Sequence, residues 1–187
     1  RHNTAALDRA TFDNIYVPFD CNSTIATFST PTDSSPESVG TVTVTIPLTA
    51  AATVNGTYTV TVANGLGVTY GGGNDYTTVP AVVANTITVP VAIGATALSF
   101  DIVVNDELLN EADEVITFTI TGSSAGLFIG PANSYVQTIV NNDATPTIIL
   151  ATVSVNAVES AGTVNFQLNI TPAATAAGSA TIFVSNG

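Results

Sequence analysis

The chain's 187 residues give room for one ordinary domain and part of another, and its formal charge of -12 leaves Arg1 and Arg9 as the only Lys or Arg. With no cation beyond residue 9 to neutralise phosphate, nucleic acid and insertion into or onto an acidic membrane are excluded as partners. Apolar residues make up 45% and charged residues 9%, dominated by Val, Ile, Ala and Thr, which favour strands over helices, and the single Cys21 cannot form an intrachain disulfide.

Residues 1–23 hold His2, both Arg and Cys21, and their Ile15-Tyr16-Val17 run reads as the last strand of a preceding repeat. From there, period-two alternation predicts strands over 24–30, 41–48, 56–63, 86–92, 97–104, 115–121 and 134–141. Leu98, Phe100, Ile102 and Val104 are expected to face a core while Ser99, Asp101 and Val103 face outward, and Phe118 and Ile120 repeat the inward pattern. The breaks fall at turn chemistry: Asn64-Gly65, Gly71-Gly72-Gly73-Asn74, Ile93-Gly94 and Gly130-Pro131. No sustained 3.6-residue stripe appears, so helix is expected to be nearly absent. No segment carries the run of about 18 apolar residues that a spanning helix needs.

Beyond residue 145 the chain repeats itself. A shift of 122 lays Glu37-Ser38-Val39-Gly40-Thr41-Val42 on Glu159-Ser160-Ala161-Gly162-Thr163-Val164, and continues without a gap to give 14 identities in the 29 positions from Glu37. The expected organisation is a complete module over 24–145 and the first third of a second copy over 146–187. A start at Arg1 with no Met anywhere is expected of an interior or processed piece. Seven strands is the count of an all-β, immunoglobulin-like β-sandwich.

Acids crowd between two of these strands, where Asp106, Glu107, Glu111, Asp113 and Glu114 fall within nine residues. Without basic neighbours these carboxylates repel one another unless solvent or a cation compensates. Hard oxygen ligands on a flexible loop suit Ca2+; a solvated acidic loop is the equally weighted alternative on this cluster alone. Catalysis has little support, since His2 stands alone, no Gly-x-Ser-x-Gly elbow occurs and the chain has no Trp to line a sugar cleft. Tyr58, Tyr70 and Tyr76 are expected in the core or on a sheet face.

Five pieces in order resemble the Calx-beta domains. They are Pro36-Glu37-Ser38-Val39-Gly40-Thr41-Val42, then Gly73-Asn74-Asp75-Tyr76, then Val89 to Thr96 with its Ile93-Gly94 turn, then Val104 to Glu114, and last Thr138-Ile139-Val140-Asn141-Asn142-Asp143. The resemblance implies a seven-stranded sandwich binding Ca2+ at one end. Carried over, the ligands are Glu37, Asp75, Asp106, Glu107, Glu111, Glu114, Asn142 and Asp143, with Asp113 in a lesser role. The closing triplet departs from the family pattern because Asn141 and Asn142 stand where carboxylates are expected, which implies fewer ions or weaker binding.

The functional expectation is a calcium-binding, non-catalytic repeat of a large extracellular, cell-surface adhesin, stiffened as a spacer by the ion near the Asp143-Ala144-Thr145-Pro146 junction. Its expected partners are neighbouring repeats of the same chain, and other surface proteins or glycans. The alternatives are a subunit of an extracellular filament and a non-catalytic module appended to a secreted enzyme. The acidic hairpin and final strand equivalent to those of the first module have no counterpart before Gly187, so metal is expected in the first module alone.

Overall fold

The computed structural model describes residues 23–151, 155–175 and 177–185; the expected strand at Ile15-Tyr16-Val17, together with His2 and Cys21, lies outside the described residues. In chain order the strands are β1 (Thr24–Ala26), β2 (Thr32–Pro36), β3 (Thr41–Pro47), β4 (Gly56–Asn64), β5 (Tyr76–Val79), β6 (Thr86–Val91), β7 (Ala97–Val104), β8 (Glu114–Ser123), β9 (Leu127–Ile129) and β10 (Ser134–Val140). Two more, β11 (Thr147–Leu150) and β12 (Leu168–Thr171), follow. Helix is limited to two 3-10 turns among the described residues, Glu37–Val39 and Glu159–Ala161.

The strands form a β-sandwich. One layer is five-stranded in the order β2-β10-β8-β4-β6, and the facing layer is β3-β7-β5. All seven expected strands are present, with one correction. The expected 24–30 strand stops at Ala26, and the chain instead splits its opening run between sheets: β1 pairs in parallel with β9, and β2 pairs in parallel with β10. Periodicity gave no sign of β2, whose sequence TDSSP has no apolar alternation, because it is held by backbone pairing to an open sheet edge. β5 was equally hidden, since its inward positions are Tyr76 and a buried Thr78 in only four residues.

The core lies between the layers. Leu98, Phe100, Ile102 and Val104 of β7 are buried, as are Ile116, Phe118 and Ile120 of β8, in the alternation the sequence predicts. The rings of Phe100 and Phe118 sit 5.0 Å apart and join the two layers, with Phe118 also 6.2 Å from Tyr135. Tyr58 and Tyr76 are fully buried, their hydroxyls accepted by Phe128 O at 3.0 Å and Asn64 Oδ1 at 2.6 Å.

The 122-residue shift is visible in local geometry. The first 3-10 turn ends at Gly40 with φ 74° and ψ -68°, and the second at Gly162 with φ 73° and ψ -70°. The Ala26–Leu48 bridge has its equivalent in the Ile148–Ile170 pair of β11 and β12. Here the likeness stops, because Glu37 is buried and Glu159 is exposed, as are all residues of β11 and β12.

Because Phe118 bridges the layers, Phe118→Ala is expected to cost about 3–5 kcal/mol. Denaturant unfolding followed by tyrosine fluorescence checks this through the shift in midpoint at constant slope.

Candidate metal centre

Four chain segments meet at one end of the sandwich. Glu37 comes from the turn between β2 and β3, where the left-handed Gly40 redirects the chain from one sheet to the other. Asp75 stands just before β5, behind a glycine loop in which Gly71 and Gly73 have φ of 140° and 84°. Asp106, Glu107, Glu111 and Asp113 lie on the connection from β7 to β8, and Glu114 opens β8. Asn141, Asn142 and Asp143 follow the end of β10.

Side-chain amides and backbone groups hold these segments in place. The Thr69 hydroxyl donates to Asp75 Oδ2 at 2.8 Å, the Thr69 backbone N–H donates to the same oxygen, and Asn105 N–H donates to Asp75 O at 2.9 Å. Asn141 donates from its backbone to Asp113 Oδ1 at 3.1 Å and from its side chain to Glu111 O at 2.9 Å. Asn142 Nδ2 donates to Asp106 Oδ1 at 3.2 Å. Asn110 Nδ2 donates to Asp143 O at 2.7 Å, while its Oδ1 accepts from the Thr145 hydroxyl at 3.1 Å.

What remains is a set of carboxylates facing one another. One oxygen from each of Glu37, Glu107 and Asp143 lies within 4.8 Å of the others, and Asp75, Glu107 and Glu111 form a second such group. Glu107 belongs to both. Glu37 is only 3% exposed, and both its oxygens, with Glu107 Oε1 and Asp143 Oδ2, are buried without a hydrogen-bond partner. Buried acceptors left unpaired are costly, and no described residue is a Lys, Arg or His that could pair with them. A divalent cation with several open oxygen positions fits this donor set, since its charge and coordination would satisfy all four orphaned atoms.

Proton affinity records the same strain. Burial pushes the Glu37 carboxyl up, reinforced by the charges of Asp143 and Glu111; the Asn142 backbone N–H opposes the shift without reaching good hydrogen-bond geometry. Burial and then Glu111 push Glu107 up to about 7, and burial and then Asp75 push Glu114 up to about 8. The structure thus brings together Glu37, Asp75, Glu107, Glu111 and Asp143 from the residues expected as ligands. Glu114 is buried against Asp75 outside both groups, and Asp106 and Asn142 are engaged with each other. Asp113 secures the end of β10. Sequence reasoning passed over Thr69 and Asn110, which carry no charge and gain their roles only from what folds beside them.

No family model matches the chain, and no curated protein matches it in sequence. Solved structures do. The apo-form Calx CBD1 domain matches with a TM-score of 0.53 at 16% identity, over 65% of this chain and 100% of that one. The CBD12 of CALX1.1, named a calcium binding domain, matches with a TM-score of 0.51 at 18% identity, over 63% of this chain and 44% of that one. The Calx CBD2 domain gives a TM-score of 0.51 at 11% identity, over 63% and 86%. At these identities the likeness establishes the fold: the β-sandwich is the one seen in Calx CBD domains.

A pH dependence follows from the raised carboxyls. Their folded pKa lies above the usual 4.5, so the folded state holds protons more tightly than the unfolded one, and the stability this supplies is complete below 4.5 and lost as pH rises through about 7 to about 8. In chelator, the chain is expected to melt at a lower temperature at pH 9 than at pH 5. Thermal melts by circular dichroism across that range check the direction.

Proposed function

We propose that this chain is a calcium-binding, non-catalytic repeat of an extracellular, cell-surface adhesin, in which the ion stiffens the sandwich and its junction with the following copy. The observation that carries the calcium reading is the group of four buried, unpartnered carboxylate oxygens on Glu37, Glu107 and Asp143. The fold shared with a structure named as a calcium binding domain supports the same choice. With two amides in the closing triplet, the site suits the weaker affinities of extracellular modules, which work at millimolar calcium. Glu37, Glu107 and Asp143 would hold one ion and Asp75, Glu107 and Glu111 a second, each supplying hard oxygen ligands.

The spacer reading draws on the junction. Asn110, in the acidic hairpin, is bonded both to the Asp143 carbonyl and to the Thr145 hydroxyl, one residue before Pro146. An ion ordering that hairpin would order the peptide leading into the next copy. An apolar cleft beyond it brings Leu109 of the hairpin together with Pro146, Ile148 and Ile170 of the following segment.

Millimolar calcium is expected to raise the melting temperature and lengthen the hydrodynamic profile relative to chelator, with about 2.7 kcal/mol of stabilisation at a hundredfold excess over Kd. Glu107→Gln, which touches both carboxylate groups, should abolish most of the shift, whereas Glu159→Gln, a control at the exposed position that the repeat equates with Glu37, should leave it intact. An unchanged melting temperature in calcium would sink the calcium reading; a changed one with constant hydrodynamic size would sink only the spacer role.

A further inference from the structure

The chain comes into the five-stranded sheet through β2 and leaves through β10, and these strands run parallel, with Asp33 opposite Gln137 and Ser35 opposite Ile139. Tension along the chain therefore loads this pair in shear. One cysteine and no lysine leave neither a disulfide nor a lysine-derived amide to lock it.

Gln137 is fully buried on β10. Its side-chain carbonyl accepts from the Tyr135 hydroxyl at 2.6 Å. Its amide nitrogen donates one hydrogen to Ser35 Oγ at 3.3 Å and the other to Thr138 O at 3.0 Å. Tyr135 is itself buried and stacked on Phe28 with centroids 5.6 Å apart. Burial and then the Asp33 charge push its hydroxyl up to about 12, so it keeps its proton and stays a donor. Asp33 and Ser35, two residues apart on β2, share a strand face, and Asp33 and Tyr135 line one cleft of about 190 Å³. A hydroxyl, a carboxamide, a donor on the carboxamide oxygen and a nearby carboxylate are the parts of an acyl transfer.

We propose that Ser35 and Gln137 form an intramolecular ester that staples β2 to β10. Ser35 Oγ attacks Gln137 Cδ while Asp33 takes the hydroxyl proton. The Tyr135 hydrogen bond stabilises the negative charge that develops on Oε1. Collapse breaks the Cδ–Nε2 bond, and the nitrogen takes the proton from Asp33 and leaves as ammonia. One C–O bond replaces one C–N bond, with no change of oxidation state and no co-reactant.

Intact-mass spectrometry of the full chain, held folded for days, tests this. The expected mass is lower than that of the sequence by one ammonia. Ser35→Ala should restore the full mass, and Ser35→Thr, which keeps a hydroxyl, should retain the loss. Cleavage after glutamate should leave residues 1–37 joined to residues 115–159 as one branched species. Full sequence mass throughout would overturn the proposal. So would an ammonia loss that persists in Ser35→Ala, because that loss belongs to a succinimide at an Asn-Gly pair such as Asn64-Gly65.

Discussion

Carboxylates gathered at one end of a chain that has no cation within the described residues are the constraint around which the molecule is organised. The orphaned oxygens of Glu37, Glu107 and Asp143 lose hydration that no hydrogen bond among the described residues replaces, and each neighbour of like charge adds to the cost. Proteins seldom tolerate such an arrangement for stability alone. The sandwich behind it, with Phe100 and Phe118 joining its layers, supplies the rigidity that holds these groups in place despite their repulsion.

Topology decides which acids meet. The chain switches sheets through the left-handed Gly40, so that Glu37 is set down beside the end of β10 rather than continuing along a strand. β7 and β8 open toward the same end, and their connection carries Glu107 and Glu111 across to Asp75. Asparagines then fix what the carboxylates cannot fix for themselves. Asn110, Asn141 and Asn142 donate to backbone carbonyls and to Asp106, keeping the loops closed without adding charge. Uncharged hydroxyls also link strands away from this end, as in the Thr61–Thr121 pair at 2.7 Å between β4 and β8.

Legibility in the sequence tracked how local each signal was. The alternation of Leu98, Phe100, Ile102 and Val104 is written into consecutive residues, because a strand buried on one face must repeat every second position. β2 was invisible for the opposite reason: its polar TDSSP forms a strand only because β10 offers it an unpaired edge. The acid run from Asp106 to Glu114 could be read directly, as could the repeat that equates Glu37 with Glu159. Their divergent fates could not, for Glu37 is buried by a hairpin and a strand end that lie about 70 and 100 residues farther along the chain, while Glu159 stands in solvent.

The sequence by itself determined the all-β class, the core faces of the long strands, the repeat and the supply of oxygen ligands, since composition and period-two spacing are properties of the chain before it folds. Tertiary structure alone decided which of those oxygens converge. It turned Asp106, Asp113 and Asn142 to holding loops together, put Glu107 between two groups, and left Glu37 and Asp143 with buried oxygens and no partner. Such choices depend on distances between segments far apart in the chain, and pairing across those distances is set by sheet topology and register rather than by any local run of residues.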